Sequence, residues 1–316
     1  MVLDHPFASV DPERSVAETQ GASFAEFQCV TREQVSEAAS GASVVLVNKA
    51  PVTRSVLSQL APSATVIRYG VGTDNIDLDA AQKLGVQVAN VPDYGTSTVA
   101  EHTCSAILSL LRRLPMFDTL VRERGWFDPV EMAPLRDFSE TTIGLVGLGR
   151  IGQAVQARLA AFGFDFLAYD PRADRDAAAR NGIRLVDLPE LLSTAHAVSL
   201  HAPLTPVTHH LISSTAIALM RPDMVLVNTS RGGLVDADAL AAALRSGRLA
   251  GAALDVFEEE PLPYDAALRT VPNVVLSPHA AYYSDQAFDR LHRLAVEETA
   301  RALRGVPLRC PVVASA

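Results

Sequence analysis

Short apolar runs rich in β-branched residues alternate with Ala- and Leu-rich stretches of helical period from about Phe24 onward. That alternation is the mark of β-α units around a parallel sheet buried on both faces, and it predicts an α/β fold. In the first third, strands are expected at 24–30, 43–48, 65–69 and 86–90, with a helix over Arg32 to Ala39 between the first two. A longer helix is expected over Val99 to Arg113, followed by a less regular stretch containing Trp126, Pro129 and Pro134. The alternation then resumes, with strands near 142–146, 166–169, 197–200, 224–228, 252–254 and 274–276. A final helix runs over Asp285 to Leu303.

A chain of 316 residues exceeds what one hydrophobic core usually organises, so two domains are expected, with the crossing near the irregular stretch. The final helix follows the last of these strands and is placed to return to the first domain. Apolar residues make up 48% of the chain and no apolar run approaches the roughly 18 residues that span a bilayer, so no membrane partner is expected. The start, M-V-L-D-H-P-F, has no basic segment ahead of an apolar one, which points to the cytoplasm. Cys29, Cys104 and Cys310 are odd in number and lack C-x-x-C spacing, so neither a disulfide framework nor a zinc site is read, and no metal is expected. A formal charge of −9 disfavours nucleic acid, which needs a basic footprint.

The segment T-T-I-G-L-V-G-L-G-R-I-G-Q-A-V carries the first specific chemistry. Gly147, Gly149 and Gly152 stand between a predicted strand and an Ala-rich helix, the arrangement that brings a pyrophosphate onto a helix N-terminus. Arg150 and Ile151, inside the same loop, are counted with it as cofactor-binding. Asp170 ends the next strand 18 residues beyond Gly152, where a carboxylate accepts from ribose hydroxyls and repels a 2′-phosphate; this favours NAD over NADP, with Arg172 as a partial offset. Gly70 and Gly72, in R-Y-G-V-G-T-D-N-I-D, lack the third glycine and read either as a plain turn or as a carboxylate-binding run of amides.

Four polar segments follow predicted strands: H-A-P-L-T-P-V-T at 201–208, N-T-S-R-G-G-L-V-D at 228–236, L-D-V-F-E-E-E-P at 254–261 and S-P-H-A-A-Y-Y-S at 277–284. Ligands of open α/β sheets bind beyond the carboxyl ends of strands, so these segments are expected to gather around the reacting end of the cofactor. Oxidising an alcohol needs a base for the hydroxyl proton and a cation for a carboxylate or oxyanion. His279 and Arg231 fit those roles, and Glu260 would orient the imidazole and favour its charged form. Taken singly, each also reads as an ordinary surface or turn residue.

In their order along the chain, G-V-G-T-D-N-I-D, V-A-E-H, G-L-G-R-I-G with Asp170, N-T-S-R-G-G-L-V-D, D-V-F-E-E-E-P and S-P-H resemble the D-isomer-specific 2-hydroxyacid dehydrogenases. The resemblance covers nearly the whole chain from about residue 43. It implies a Rossmann NAD-binding domain at 99–283 inserted into a flavodoxin-like substrate domain of 1–98 and 284–316. Both would be doubly wound on parallel sheets. It implies catalysis in the cleft by Arg231, Glu260 and His279, acting on a small anionic 2-oxo or 2-hydroxy acid, in a homodimer formed through the NAD domain. By the same matching, Asp255 sits by the nicotinamide carboxamide, and His201, Pro203, Thr208, Thr229 and Ser230 line the cofactor. Val71 and Gly72 would offer amides to the substrate carboxylate. Lys49 aligns with a substrate-contacting position and reads equally as a solvated loop lysine. The segment H-A-A-Y-Y-S departs from the commoner small residue and glycines, and is similar to the C-terminal-binding-protein branch, alongside the phosphoglycerate-dehydrogenase-like one. Tyr282 would there narrow the pocket, or simply pack. That departure motivates a second reading, an NAD(H)-sensing regulatory protein on a dehydrogenase fold.

Overall fold

The computed structural model describes residues 1–313 and divides the chain into two compact units, Met1–Gly95 with the segment from Ser284, and Thr96–Tyr283. In the first unit, α1 spans Asp11–Thr19, α2 Arg32–Ala39, β1 Val44–Val47, α3 Arg54–Leu57, β2 Thr65–Arg68, α4 Leu78–Leu84 and β3 Gln87–Ala89. The second unit begins with α5 Thr96–Leu111, α6 Leu114–Arg124, β4 Thr142–Val146, α7 Arg150–Leu159, β5 Asp165–Tyr169, α8 Arg175–Arg180 and β6 Ile183–Leu185. It continues with α9 Leu188–Thr194, β7 Ala197–Leu200, α10 Ser214–Leu219, β8 Val225–Asn228, α11 Ala237–Arg245, β9 Gly251–Leu254 and β10 Val274–Leu276. The chain then re-enters the first unit as α12 Asp285–Leu303 and β11 Pro311–Val313.

The first unit has a sheet of order β1-β2-β3-β11, parallel except for β11, with Val2 bridging both Leu46 and Glu26 beside β1. Read in chain order, the positions around Glu26, Val2, β1, β2 and β3 follow 2-1-3-4-5, the flavodoxin-like winding. The strand expected at 24–30 is corrected to a single bridge. Its partner is the short chain start, which gives Val2 N to Ala25 O and accepts from Phe27 N and Cys29 N. Helix α12 packs on α1, β1 and β2, burying Ala287, Leu291, Leu294, Ala295, Glu298 and Thr299 at helical spacing. Helix α1 was not expected, and the reason is physical: its inward positions are Glu13 and Ala17, so no apolar stripe announces it. Glu13 is fully buried, where Tyr69 Oη donates to it at 2.8 Å and His292 Nε2 lies 2.9 Å away.

The second unit carries a wholly parallel seven-stranded sheet of order β10-β9-β8-β7-β4-β5-β6. Along β5, Phe166 and Ala168 belong to one apolar cluster and Leu167 to another, because successive residues of a strand face opposite sides. The winding reverses between β4 and β7, and that switch point is where open α/β sheets bind ligands. The helix expected at 99–113 spans Thr96–Leu111 instead, and the stretch read as irregular begins with a second helix. Arg113, at φ +52°, breaks the chain between the two, and Pro115 suits the first turn of α6. No residue of α6 is buried. No helix among the described residues is long and apolar enough to cross a membrane.

Candidate active site

The glycine loop joins β4 to α7. Gly147 adopts φ +99°, and a Cβ there would stand 2.8 Å from the carbonyl oxygen of His201. A Cβ on Gly152 would come within 2.3 Å of Gly147 O, so this first turn of α7 packs directly against the strand end. Gly149 is the residue before α7, and nothing lies within 4 Å of where its Cβ would be. The N-terminus of α7 thus faces open space, flanked by exposed Arg150 and half-buried Ile151. At the end of β5, Asp170 Oδ2 accepts from Leu148 N and Oδ1 from Arg172 N, both at 2.9 Å, which pins the carboxylate beside the loop.

The next strands supply the remaining predicted residues of this unit. His201 follows β7; its Nε2 is sealed from solvent without a hydrogen-bond partner, and burial lowers its pKa to about 4. Thr208 Oγ1 donates to Pro203 O at 2.6 Å and accepts from Thr205 N, closing that loop on itself. Thr229 Oγ1 pairs with Thr103 Oγ1 on α5, and Ser230 Oγ donates to Ala202 O. These hydroxyls shape the loops around the switch point.

Residues Arg231, Glu260 and His279 come from loops after three adjacent strands whose ends are in register, Asn228 beside Leu254 and Leu254 beside Leu276. The loops also touch through backbone. A Cβ on Gly232 would fall 1.9 Å from the carbonyl carbon of Phe257, which explains glycine directly after Arg231. Asn228 Nδ2 holds Arg231 O, and Arg231 Nη1 donates to Ser230 O at 2.7 Å. His279 Nδ1 lies 2.6 Å from Glu260 Oε2, while Glu260 Oε1 accepts from Phe257 N. The imidazole is half-exposed, and Tyr282 meets it edge-on with 6.3 Å between ring centres.

Asp255 is 2% exposed, and its carboxylate builds the turn that carries the histidine. Oδ1 accepts from Ser277 Oγ and Ala280 N, Oδ2 from Ala281 N, and the Asp255 carbonyl accepts from His279 N at 2.8 Å. Ser277 Oγ in turn meets His102 Nε2 at 3.2 Å. Sequence reasoning assigned no role to His102 or Ser277, although V-A-E-H and S-P-H were both singled out as motifs.

In the first unit, Lys49 is exposed on the loop after β1. Asp4 holds that loop by accepting from the amides of Asn48, Lys49 and Ala50 at 2.8, 2.6 and 3.1 Å, and Asn75 Nδ2 donates to Ala50 O. Val71 and Gly72 sit on the bend after β2, where Val71 O accepts from Asn90 Nδ2 and Val71 is 42% exposed.

Comparison with known proteins agrees with this architecture. The profile of the D-isomer specific 2-hydroxyacid dehydrogenase NAD binding domain matches residues 104–281. The chain belongs to the D-isomer specific 2-hydroxyacid dehydrogenase family. It is 40% identical over 258 residues to a glyoxylate reductase of Korarchaeum cryptofilum, covering 81% of this chain and 77% of that protein. It is 39% identical over 278 residues to a D-3-phosphoglycerate dehydrogenase of Methanocaldococcus jannaschii, covering 87% of this chain and 52% of that protein. The chain therefore spans about half the length of the phosphoglycerate dehydrogenases it matches. Among solved structures, the D-lactate dehydrogenase of Aquifex aeolicus, crystallised with NAD and lactic acid, superposes with a TM-score of 0.86 at 30% identity over all of both chains.

The NAD-binding domain of this family fits the side chains present. The space a Cβ would take at Gly149 is open, and the α7 N-terminus supplies donors and a positive dipole end for phosphates. Asp170 spends one lone pair of each oxygen on the backbone, which leaves acceptor capacity for ribose hydroxyls. Pro203, Thr208, Thr229 and Ser230 lie on loops following the strands beside the switch point.

Proposed function

We propose that this chain interconverts a small 2-oxo acid and its D-2-hydroxy acid in an NAD-dependent reaction carried by Arg231, Glu260 and His279. The observation behind the proposal is the 2.6 Å pairing of His279 with Glu260 on strand ends in register with the one that presents Arg231. Glu260 accepts from Nδ1–H, which fixes the tautomer and leaves Nε2 as the atom that gives or takes a proton. In the reductive direction His279 passes that proton to the carbonyl oxygen of the substrate as it becomes a hydroxyl; in the oxidative direction it takes it back. The guanidinium of Arg231 holds the substrate carboxylate by charge-assisted hydrogen bonds. NAD, when bound, supplies or accepts the hydride at its nicotinamide ring.

The same proposal assigns the amides of Val71 and Gly72 to the substrate carboxylate, Lys49 to a second anionic group, and Tyr282 to the size of the pocket. Asp255 is assigned to the nicotinamide end through the turn it builds. A homodimer is part of the reading: α6 has no buried residue, and Leu114, Val121, Trp126 and Val130 expose apolar surface in one stretch of the NAD-binding unit. A cytoplasmic location is also proposed, in keeping with three free cysteines.

The test is NADH oxidation by the purified chain with glyoxylate, hydroxypyruvate, pyruvate and phosphorylated 2-oxo acids. Turnover of at least one, lost when Arg231 is changed to Gln, is the expected result. No turnover with any, together with a protein partner whose affinity follows NADH, would establish the regulatory reading instead.

A further inference from the structure

Among the described residues, one group of His, Cys, Asp and Glu side chains converges closely enough to share an ion: His209, His210 and Glu258. One ligand atom from each lies within 4.8 Å of the other two, in the same unit as the catalytic loops but using none of the three reacting residues. The histidines close the loop after β7, and Glu258 lies in the loop after β9. Consecutive side chains of an extended chain point to opposite sides. Here His210 adopts φ +49°, and the two imidazoles stack with ring centres 4.0 Å apart and 21° between planes. His210 Nε2 and Glu258 Oε1 are in direct contact.

The platform under this cluster is firm. His210 N donates to Gly233 O at 2.8 Å, and Gly232 packs its backbone against Phe257. The ligand-bearing ends remain accessible, with His209 and Glu258 exposed and His210 half-buried. Glu258 begins the acidic run Glu258, Glu259 and Glu260, in a chain of net charge −9, so the local field favours a cation.

We propose that His209, His210 and Glu258 bind a divalent transition-metal ion of the zinc, nickel or copper class, with water completing its coordination. Two imidazoles and one carboxylate form a donor set of intermediate softness; calcium and magnesium take oxygen ligands throughout. Bonds of roughly 2.0–2.1 Å about a tetrahedral ion place ligand atoms about 3.3 Å apart. The ligand atoms all lie within 4.8 Å of one another, so side-chain adjustment has to close at most about 1.5 Å for the wider pairs, while the His210–Glu258 contact opens to admit the ion. Once bound, the ion would tie the loop after β7 to the segment that carries Glu260 two residues farther on. The reading of cysteine spacing alone expected no metal, because it weighed no histidine pair.

The experiment is calorimetric titration of the untagged chain with zinc chloride, followed by His210→Ala, Glu258→Gln and His279→Asn. The proposal expects one site in the wild-type chain, weakened at least about tenfold by each of the first two changes and kept by the third. It also expects zinc to raise the melting temperature of the wild-type chain but not of Glu258→Gln. Cobalt(II) bound to the wild-type chain should show visible bands of a nitrogen- and oxygen-ligated site, a readout that needs no variant. The proposal is overturned if the wild-type chain binds no zinc, if His210→Ala and Glu258→Gln bind as the wild type does, or if only His279→Asn loses the ion.

Discussion

Replacing His279 by asparagine separates the chemistry of the imidazole from the geometry of its turn. His279 sits at φ +53°, a conformation that costs an L-residue about 1–2 kcal/mol and that asparagine tolerates better than most. The turn is held by groups the substitution leaves in place, namely His279 N on Asp255 O and the amides of Ala280 and Ala281 on the Asp255 carboxylate. What is lost is the 2.6 Å bond to Glu260 and, on the proposed mechanism, the group that exchanges a proton with the substrate. Glu260 keeps Phe257 N and is open to water, so the stability cost should stay within about 1 kcal/mol. General acid–base catalysis contributes roughly 10²–10⁴-fold, so kcat is expected to fall by that factor, or about 2.7–5.4 kcal/mol of barrier.

The measurements are kcat at saturating 2-oxo acid, from the loss of NADH absorbance, and the NADH dissociation constant from fluorescence titration. NADH affinity should change by less than about threefold if the imidazole acts on the substrate oxygen as proposed and not on the dinucleotide. His279→Ala serves as the contrast: it removes the same chemistry but places alanine at φ +53°, so it should melt about 2–4 °C below His279→Asn. A loss of kcat under about tenfold in His279→Asn would refute the assigned proton transfer. Equal losses of kcat and NADH affinity would make His279 a structural residue.

Three further outcomes follow from other parts of the molecule. Gly152→Ala puts a Cβ 2.3 Å from Gly147 O, so α7 must move off the strand end, and NADH affinity should fall at least about tenfold by fluorescence titration; unchanged affinity would remove the loop from the nucleotide site. Burial lowers His201 from an ordinary value near 6.5 to about 4, so the folded state binds fewer protons than the unfolded one in that window. Its contribution is complete above about pH 6.5 and is lost as pH falls toward 4, about 3 kcal/mol in all. The stability gap between wild type and His201→Gln in urea should narrow over that range, and a pH-independent gap would contradict the assignment. Tyr69→Phe takes a 2.8 Å donor from the buried carboxylate of Glu13 and should cost about 1–3 kcal/mol in thermal unfolding; a change under about 0.5 kcal/mol would mean that water replaces the hydroxyl.

Which parts of this molecule were legible in the sequence depends on how far each residue reaches for its partner. The turn at Gly147 and the first turn of α7 at Gly152 are decided within six residues by a strand, a helix and their close approach, so local pattern was enough. The loops of Arg231, Glu260 and His279 follow strands whose apolar runs are plain, and parallel register then sets their ends side by side. By contrast, Ser277 meets His102 from 175 residues away, and His292 meets Glu13 from 279. Nothing near Glu13 marks it as buried, so α1 went unseen, and nothing near Asp255 shows that its oxygens are spent on the amides after His279. Exposed α6 was hidden for the opposite reason: with no residue buried, tertiary packing leaves no stripe to read. Groups placed by local backbone geometry are therefore recoverable from spacing, whereas polar groups buried on distant partners carry no local sign of their burial. His102 and Ser277 belong to the second kind, which is why their motifs were visible while their part in holding the histidine turn was not.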